Sequence, residues 1–185
     1  MQRLASDLRA KVPQPGHTGR VTADPRPAVE RRHPPIVLVR LVNPLVRRLV
    51  RRGVAADQLL VLHYAGRRSG RRYDVPAGYH LIGGVPTVLT NSPWRRNFAG
   101  GRRIEVTYRG ARRAAEATLV EEVETVTRVY ADLFDVLGWK AAQRRLGLRV
   151  NVNRAPTRDE IARAVQDSGL SLVRLDGLAE HLGGD

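Results

Sequence analysis

The chain has 185 residues, with 32 lysines and arginines against 18 acidic residues and a formal net charge of +14. That length suits one domain plus a tail. The charge directs attention to anionic partners (nucleic acid, lipid headgroups or a phosphorylated ligand), although an arginine excess with only Lys11 and Lys140 as lysines is equally what a GC-rich genome produces. The absence of cysteine excludes disulfides, thiolate metal sites and cysteine nucleophiles together and fits a reducing, cytoplasmic compartment.

Residues 1–35 contain Pro13, Pro15, Pro25, Pro27, Pro34 and Pro35 among scattered charges, a composition that buries too little apolar surface to offset ordering, and a flexible tail is expected. The N-terminus lacks the basic, apolar and small-residue succession of a secretory signal. From Ile36 to Arg52, "IVLVRLVNPLVRRLVRR" reads as an amphipathic helix, kinked or divided at Pro44. Leu38, Val42, Leu45, Val46 and Leu49 share one face and Arg40, Arg47, Arg48, Arg51 and Arg52 the other. It is either a helix packed on the domain or a basic helix lying on an anionic membrane surface, which would make the protein peripheral to the membrane. No apolar run reaches the roughly 18 residues that a membrane span needs.

Residues 53–185 form the main domain. β-Branched content, alternation and turn punctuation predict strands over Gln58–Tyr64, Arg72–Ile82, Val85–Asn91, Arg102–Arg109 and Arg112–Val120. Gly83-Gly84 and Arg109–Arg112 are hairpin turns. Pro76 cannot donate to a ladder, so its strand belongs at an edge or a bulge. "SPWRRNFAGG" predicts one short helix, with Ser92 as N-cap, Pro93 at the first helical position and the glycine pair as terminator. A helix from Glu121 to Leu146, interrupted at Gly138, carries acidic residues at its start, where the helix dipole favours them. Thr157 and Glu160 have capping-box spacing for a last helix, and "LSLVRLDG" supplies a final strand. Consecutive hairpin-linked strands without crossover helices argue for the α+β class, with a small antiparallel barrel or strongly coiled sheet.

The densest chemistry lies in "YAGRRSGRRYDVPAGY", Tyr64 to Tyr79. Glycines at 66 and 70 let Arg67, Arg68 and Ser69 curve into a nest whose N–H groups, hydroxyl and guanidinium forks suit one phosphate; the alternative is a solvated basic turn. The loop lacks P-loop spacing and joins two strands, so a nucleoside triphosphatase is not expected. If the Gly83-Gly84 hairpin returns its strand to the same end of the sheet, the N-terminus of the Pro93 helix brings free N–H groups to that neighbourhood. Trp94 is there either as a flat apolar surface or as plain core. Tyr130 is either a hydrogen-bond donor to a substrate oxygen or a packed tyrosine. The five histidines lack metal-ligand spacing, and the few aromatics are not interleaved with the basic runs as nucleic-acid stacking would need.

"GRRSGRRYDVP" followed by "NSPWRRNFAGGRRIEV" resembles the deazaflavin-dependent nitroreductase and quinone reductase family, with its G-R-K-S/T-G loop, proline-containing strand and W-x-x-N-L segment. The likeness runs from Leu59 to Leu119. It implies a split β-barrel of the FMN-binding kind with flanking helices. The implied activity is hydride transfer from reduced coenzyme F420 to a small-molecule electron acceptor: a quinone, nitroaromatic or activated alkene. By resemblance Arg67, Arg68, Ser69 and Gly70 hold the coenzyme's phosphate, Asn91 and Ser92 lie near the ring, Trp94 and Asn97 are a structural pair, and these residues together with Pro76 on the proline-containing strand make up the cofactor-binding set. Arg72-Tyr73 stands where relatives often have Pro-Arg, and Phe98 stands where leucine is usual. FMN is the alternative cofactor, and a lipid or other hydrophobic ligand the non-enzymatic alternative, since the fold alone does not fix an activity. Hydride transfer asks the protein for position, charge and a dry pocket, so a sparse motif set is compatible with it. Monomer and homodimer are both open.

Overall fold

The computed structural model describes residues 26–31 and 58–178. Seven strands form one antiparallel sheet: β2 (Leu59–Ala65), β3 (Arg72–Gly78), β4 (His80–Ile82), β5 (Val85–Thr90), β6 (Arg102–Tyr108), β7 (Ala111–Val120) and β9 (Ser171–Asp176). Their spatial order is β3-β2-β6-β7-β9-β5-β4. The two end strands of that order, β3 and β4, are consecutive in the chain and separated only by Tyr79. A single extended run thus pairs with β2 at one end and β5 at the other, which curls the sheet into a half-barrel consistent with a split β-barrel. Pro76 sits in β3, at the sheet's edge, where a missing N–H costs no second ladder bond.

Alternation along β2 turns Leu60, Leu62 and Tyr64 into the barrel, where they pack with Phe98, Ile104, Val106, Tyr108, Val173 and Leu175. Val61, His63 and Ala65 belong to the opposite face. A second core lies between the other face of β5 and β9, through Leu89 and Leu172, and the helices α1 (Val123–Leu137) and α3 (Arg158–Ser168). Glu122 caps α1 through its carboxylate, which accepts from the N–H groups of Glu124 and Thr125. Gly138, at φ 70°, ends that helix and starts α2 (Trp139–Arg145), the interruption expected at this glycine. Thr157 and Glu160 complete both halves of the capping box of α3.

Two short strands escaped the sequence reading. β1 (Val29–Arg31) pairs antiparallel with β8 (Leu148–Val150), so the flexible tail expected over 1–35 does not extend through 26–31. The physical reason is burial plus polar pairing. Val29 enters the helical core, Arg31 Nη1 donates to the Leu146 carbonyl at 2.8 Å, and Asn151 donates to the carbonyls of Pro27 and Ala28. The remainder of the tail and the amphipathic segment 36–52 lie outside the described residues. Among the described residues no helix is long and apolar enough to cross a membrane.

Candidate functional site

The β2–β3 hairpin closes with a compact turn. Gly66 N–H donates to the Arg71 carbonyl at 2.8 Å and Gly70 N–H to the Gly66 carbonyl at 2.9 Å. Ser69 Oγ folds inward to accept from Arg71 N–H at 3.3 Å. A Cβ on Gly66 would stand 2.8 Å from Ser69 Oγ and 2.9 Å from the Tyr73 ring, so the inward serine requires glycine there. Gly70 takes φ +63°, the left-handed region.

A six-residue 3₁₀ helix, Pro93–Phe98, fastens this turn to the barrel. Asn97 Oδ1 accepts from Arg67 N–H at 2.9 Å, Asn97 Nδ2 donates to the Trp94 carbonyl at 2.8 Å, and Arg67 Nη1 donates to the Ala99 carbonyl at 2.7 Å. Arg102 Nη1 adds a bond to the Ala65 carbonyl at 2.6 Å. Arg67 is thus occupied, backbone and side chain, in holding the turn. The N–H groups of Arg68 and Ser69 and the exposed side chains of Arg68, Arg71 and Arg72 have no hydrogen-bond or ion-pair partner among the described residues. Such a donor set is complementary to a phosphate or carboxylate.

Beside the turn lies an aromatic ledge. Tyr73, partly exposed, stacks on Tyr64 with centroids 5.6 Å apart, Tyr64 meets Phe98 edge-on at 5.0 Å, and Trp94 meets Phe98 edge-on at 5.9 Å. The Arg71 guanidinium stands over Tyr73 at 5.9 Å. Burial, and secondarily the Tyr73 hydroxyl, push the Tyr64 hydroxyl up to about 12.

The structure brings Arg67, Arg68, Ser69, Gly70, Trp94 and Asn97 together, but the contact differs from the expected one. The C-terminal end of the 3₁₀ helix, through Asn97 and Ala99, meets the basic turn, whereas its N-terminal end faces α3: Asn91 Nδ2 donates to the Ser168 carbonyl at 3.2 Å. Ser92 occupies the N-cap position without a capping bond from its side chain; its N–H instead donates to Thr90 Oγ1. Pro76 is paired with Val61 on β2. Tyr130 is fully buried in the helical core, its hydroxyl without a partner among the described residues and pushed up to about 12 by burial.

Two polar constellations lie outside the sequence reading. Arg95, nearly buried, donates through Nη1 to the carbonyls of Asn91 (2.8 Å) and Ser92 (3.3 Å) and through Nε to Glu121 (3.2 Å), tying the 3₁₀ helix to the start of α1. No local signal announces it, because its partners meet only in the fold. His63, buried on the outer face, contacts Asp74 Oδ1 through Nδ1 and Thr107 Oγ1 through Nε2, both at 2.8 Å. The β2–β3 register, which pairs Ala65 with Arg72 at the turn, sets His63 and Asp74 opposite one another. His80 sits on β4, which is not a neighbour of β2, and burial with Arg145 nearby lowers its pKa.

The curled sheet and helical flank define an α+β protein of split-barrel form. No protein-family model matches the chain, and a search of curated proteins finds no match to it.

Proposed function

We propose that the protein is a split-barrel oxidoreductase that binds coenzyme F420 by its phosphate on the Gly66–Arg71 turn and serves a quinone, nitroaromatic or activated alkene as electron acceptor. The observation that carries this reading is the preorganised turn. Asn97 and Ala99 hold it through Arg67, and the N–H groups of Arg68 and Ser69 have no partner among the described residues, in a turn whose Arg68, Arg71 and Arg72 are exposed. The donor set fits a phosphate monoanion or diester, with charge-assisted bonds from Arg68 and Arg71 and backbone bonds from the nest. The coenzyme would supply the hydride. The chain's own contribution is to fix the anion, offer Tyr73 and Trp94 as apolar surface beside it, and keep water from one side of the ring.

The test is a titration of the purified full chain with oxidised F420, followed by fluorescence anisotropy, with FMN in parallel. Saturable F420 binding is expected, weakened at least about tenfold in Arg68→Ala/Arg71→Ala and unchanged in Arg113→Ala, a half-buried arginine on β7 outside the turn. No binding at tens of micromolar removes the F420 assignment, and tight FMN binding in its place transfers the reading to a flavin.

A further inference from the structure

The β2–β6 ladder is incomplete. It pairs Val61 with Thr107, Leu62 with Val106 and His63 with Glu105, and there it stops. Yet β2 continues to Ala65, still paired with β3, and β6 begins at Arg102, already paired with β7. Beyond His63 the two strands part, and between them lies a cleft of about 420 Å³ lined by His63, Ala65, Arg102, Arg103, Glu105 and Ala114, among others. That volume falls within the range of small-ligand clefts.

We infer that this split in the sheet is a binding site for a small organic carboxylate, separate from the phosphate-holding turn. Charge gives the first argument. Arg102 uses Nη1 on the Ala65 carbonyl and leaves Nε and Nη2 without a partner among the described residues; Arg103 has no partner among them at all. The one lining carboxylate, Glu105, is already paired with Arg112 at 2.7 Å. Glu116 stands opposite Arg103 in the register, but its Oε1 is turned towards Gly101. The cleft therefore presents uncompensated guanidinium groups, whose planar forks match a carboxylate.

The lining gives the second argument. Ala65 and Ala114 contribute small apolar side chains to it, and beyond His63 β2 is not paired with β6. His63 is a fixed part of the lining, because Asp74 and Thr107 engage both of its ring nitrogens. A flat apolar body with one anionic end fits this arrangement, and a bare inorganic anion would leave the alanines uncovered. The inference does not depend on the identity of any ligand at the Gly66–Arg71 turn.

The experiment uses the ¹⁵N-labelled full chain, titrated at constant ionic strength with sodium benzoate and, in a separate series, with inorganic phosphate. Benzoate is expected to give saturable shifts at the amides of Ala65, Arg103, Ile104 and Ala114. Ala114→Leu, which enlarges a lining side chain at a position exposed to solvent, should weaken benzoate binding by about tenfold or more, and Arg103→Gln by a comparable factor, with the spectra otherwise dispersed as in the parent. Phosphate shifts at Arg68 and Ser69 should survive both substitutions. Benzoate shifts that never saturate, shifts confined to the Gly66–Arg71 turn, or equal benzoate affinity in the two variants and the parent would each overturn the cleft assignment.

Discussion

Replacing Asn97 by alanine removes the residue on which the geometry of the basic turn rests. Two hydrogen bonds are lost, Arg67 N–H to Oδ1 at 2.9 Å and Nδ2 to the Trp94 carbonyl at 2.8 Å. A protein hydrogen bond contributes about 0.5–1.5 kcal/mol net, and the first of these two is solvent-exposed, so the expected loss is about 1–2 kcal/mol. For a chain of this length each kcal/mol moves the melting temperature by about 2–4 °C, giving a drop of about 2–8 °C. Anion binding should fall with it, because the freed turn must be ordered again when ligand arrives. Asn97→Asp separates the two bonds: the carboxylate still accepts from Arg67 N–H but cannot donate to Trp94. Urea denaturation gives the stability term, and F420 or phosphate titration gives the binding term. If Asn97→Ala keeps both the parent stability within about 0.3 kcal/mol and the parent affinity, the clasp is irrelevant and the preorganisation argument fails.

Gly66→Ala should destabilise by about 1–3 kcal/mol, since its Cβ would meet Ser69 Oγ and the Tyr73 ring inside 3.0 Å, whereas Gly78→Ala, whose nearest neighbour is the Gln58 carbonyl at 3.7 Å, should stay within about 0.5 kcal/mol in the same urea melts. Arg95→Met should cost about 2–3 kcal/mol by leaving the Asn91 and Ser92 carbonyls without their donor, and a melting curve superimposable on the parent's would contradict the bridging role. Glu160 accepts from both terminal nitrogens of Arg154 and from Thr157 N–H, and the Arg154 hydrogen bonds first, with the Thr157 N–H, lower its pKa from 4.5 to about 2. The folded-state pKa is the lower one, so the stabilisation is complete above pH 4.5 and is lost as pH falls towards 2. Glu160→Gln should flatten that part of the stability-pH curve, and an unchanged acid limb would assign it to other carboxylates.

Local chemistry carried most of the element boundaries. The glycine pairs at 83–84 and 100–101, the capping box of α3 and the alternation of Leu60, Leu62 and Tyr64 all act within a few residues, and each is found where its sequence signal lies. The basic turn was legible for the same reason, as was the edge position of Pro76. β1 and β8 were not: three residues each carry too little periodicity, and their pairing joins positions more than a hundred residues apart. The division of the Arg72–Ile82 run at Tyr79 was likewise invisible, because it arises from one stretch serving two sheet edges.

What the sequence by itself determined is the antiparallel α+β character and a glycine-flanked cluster of arginines and serine with the makings of an anion site, since turn preference, alternation and capping are short-range. Which arginine acts in that cluster was decided by tertiary structure alone. Arg67 and Arg68 are adjacent and chemically identical, yet the Asn97 amide and the Ala99 carbonyl, thirty residues along the chain, draw the first into the scaffold and leave the second facing solvent. The parting of β2 from β6 is of the same kind: a ladder's end depends on where each strand's other neighbour holds it, and that is a property of the closed sheet, not of any one strand.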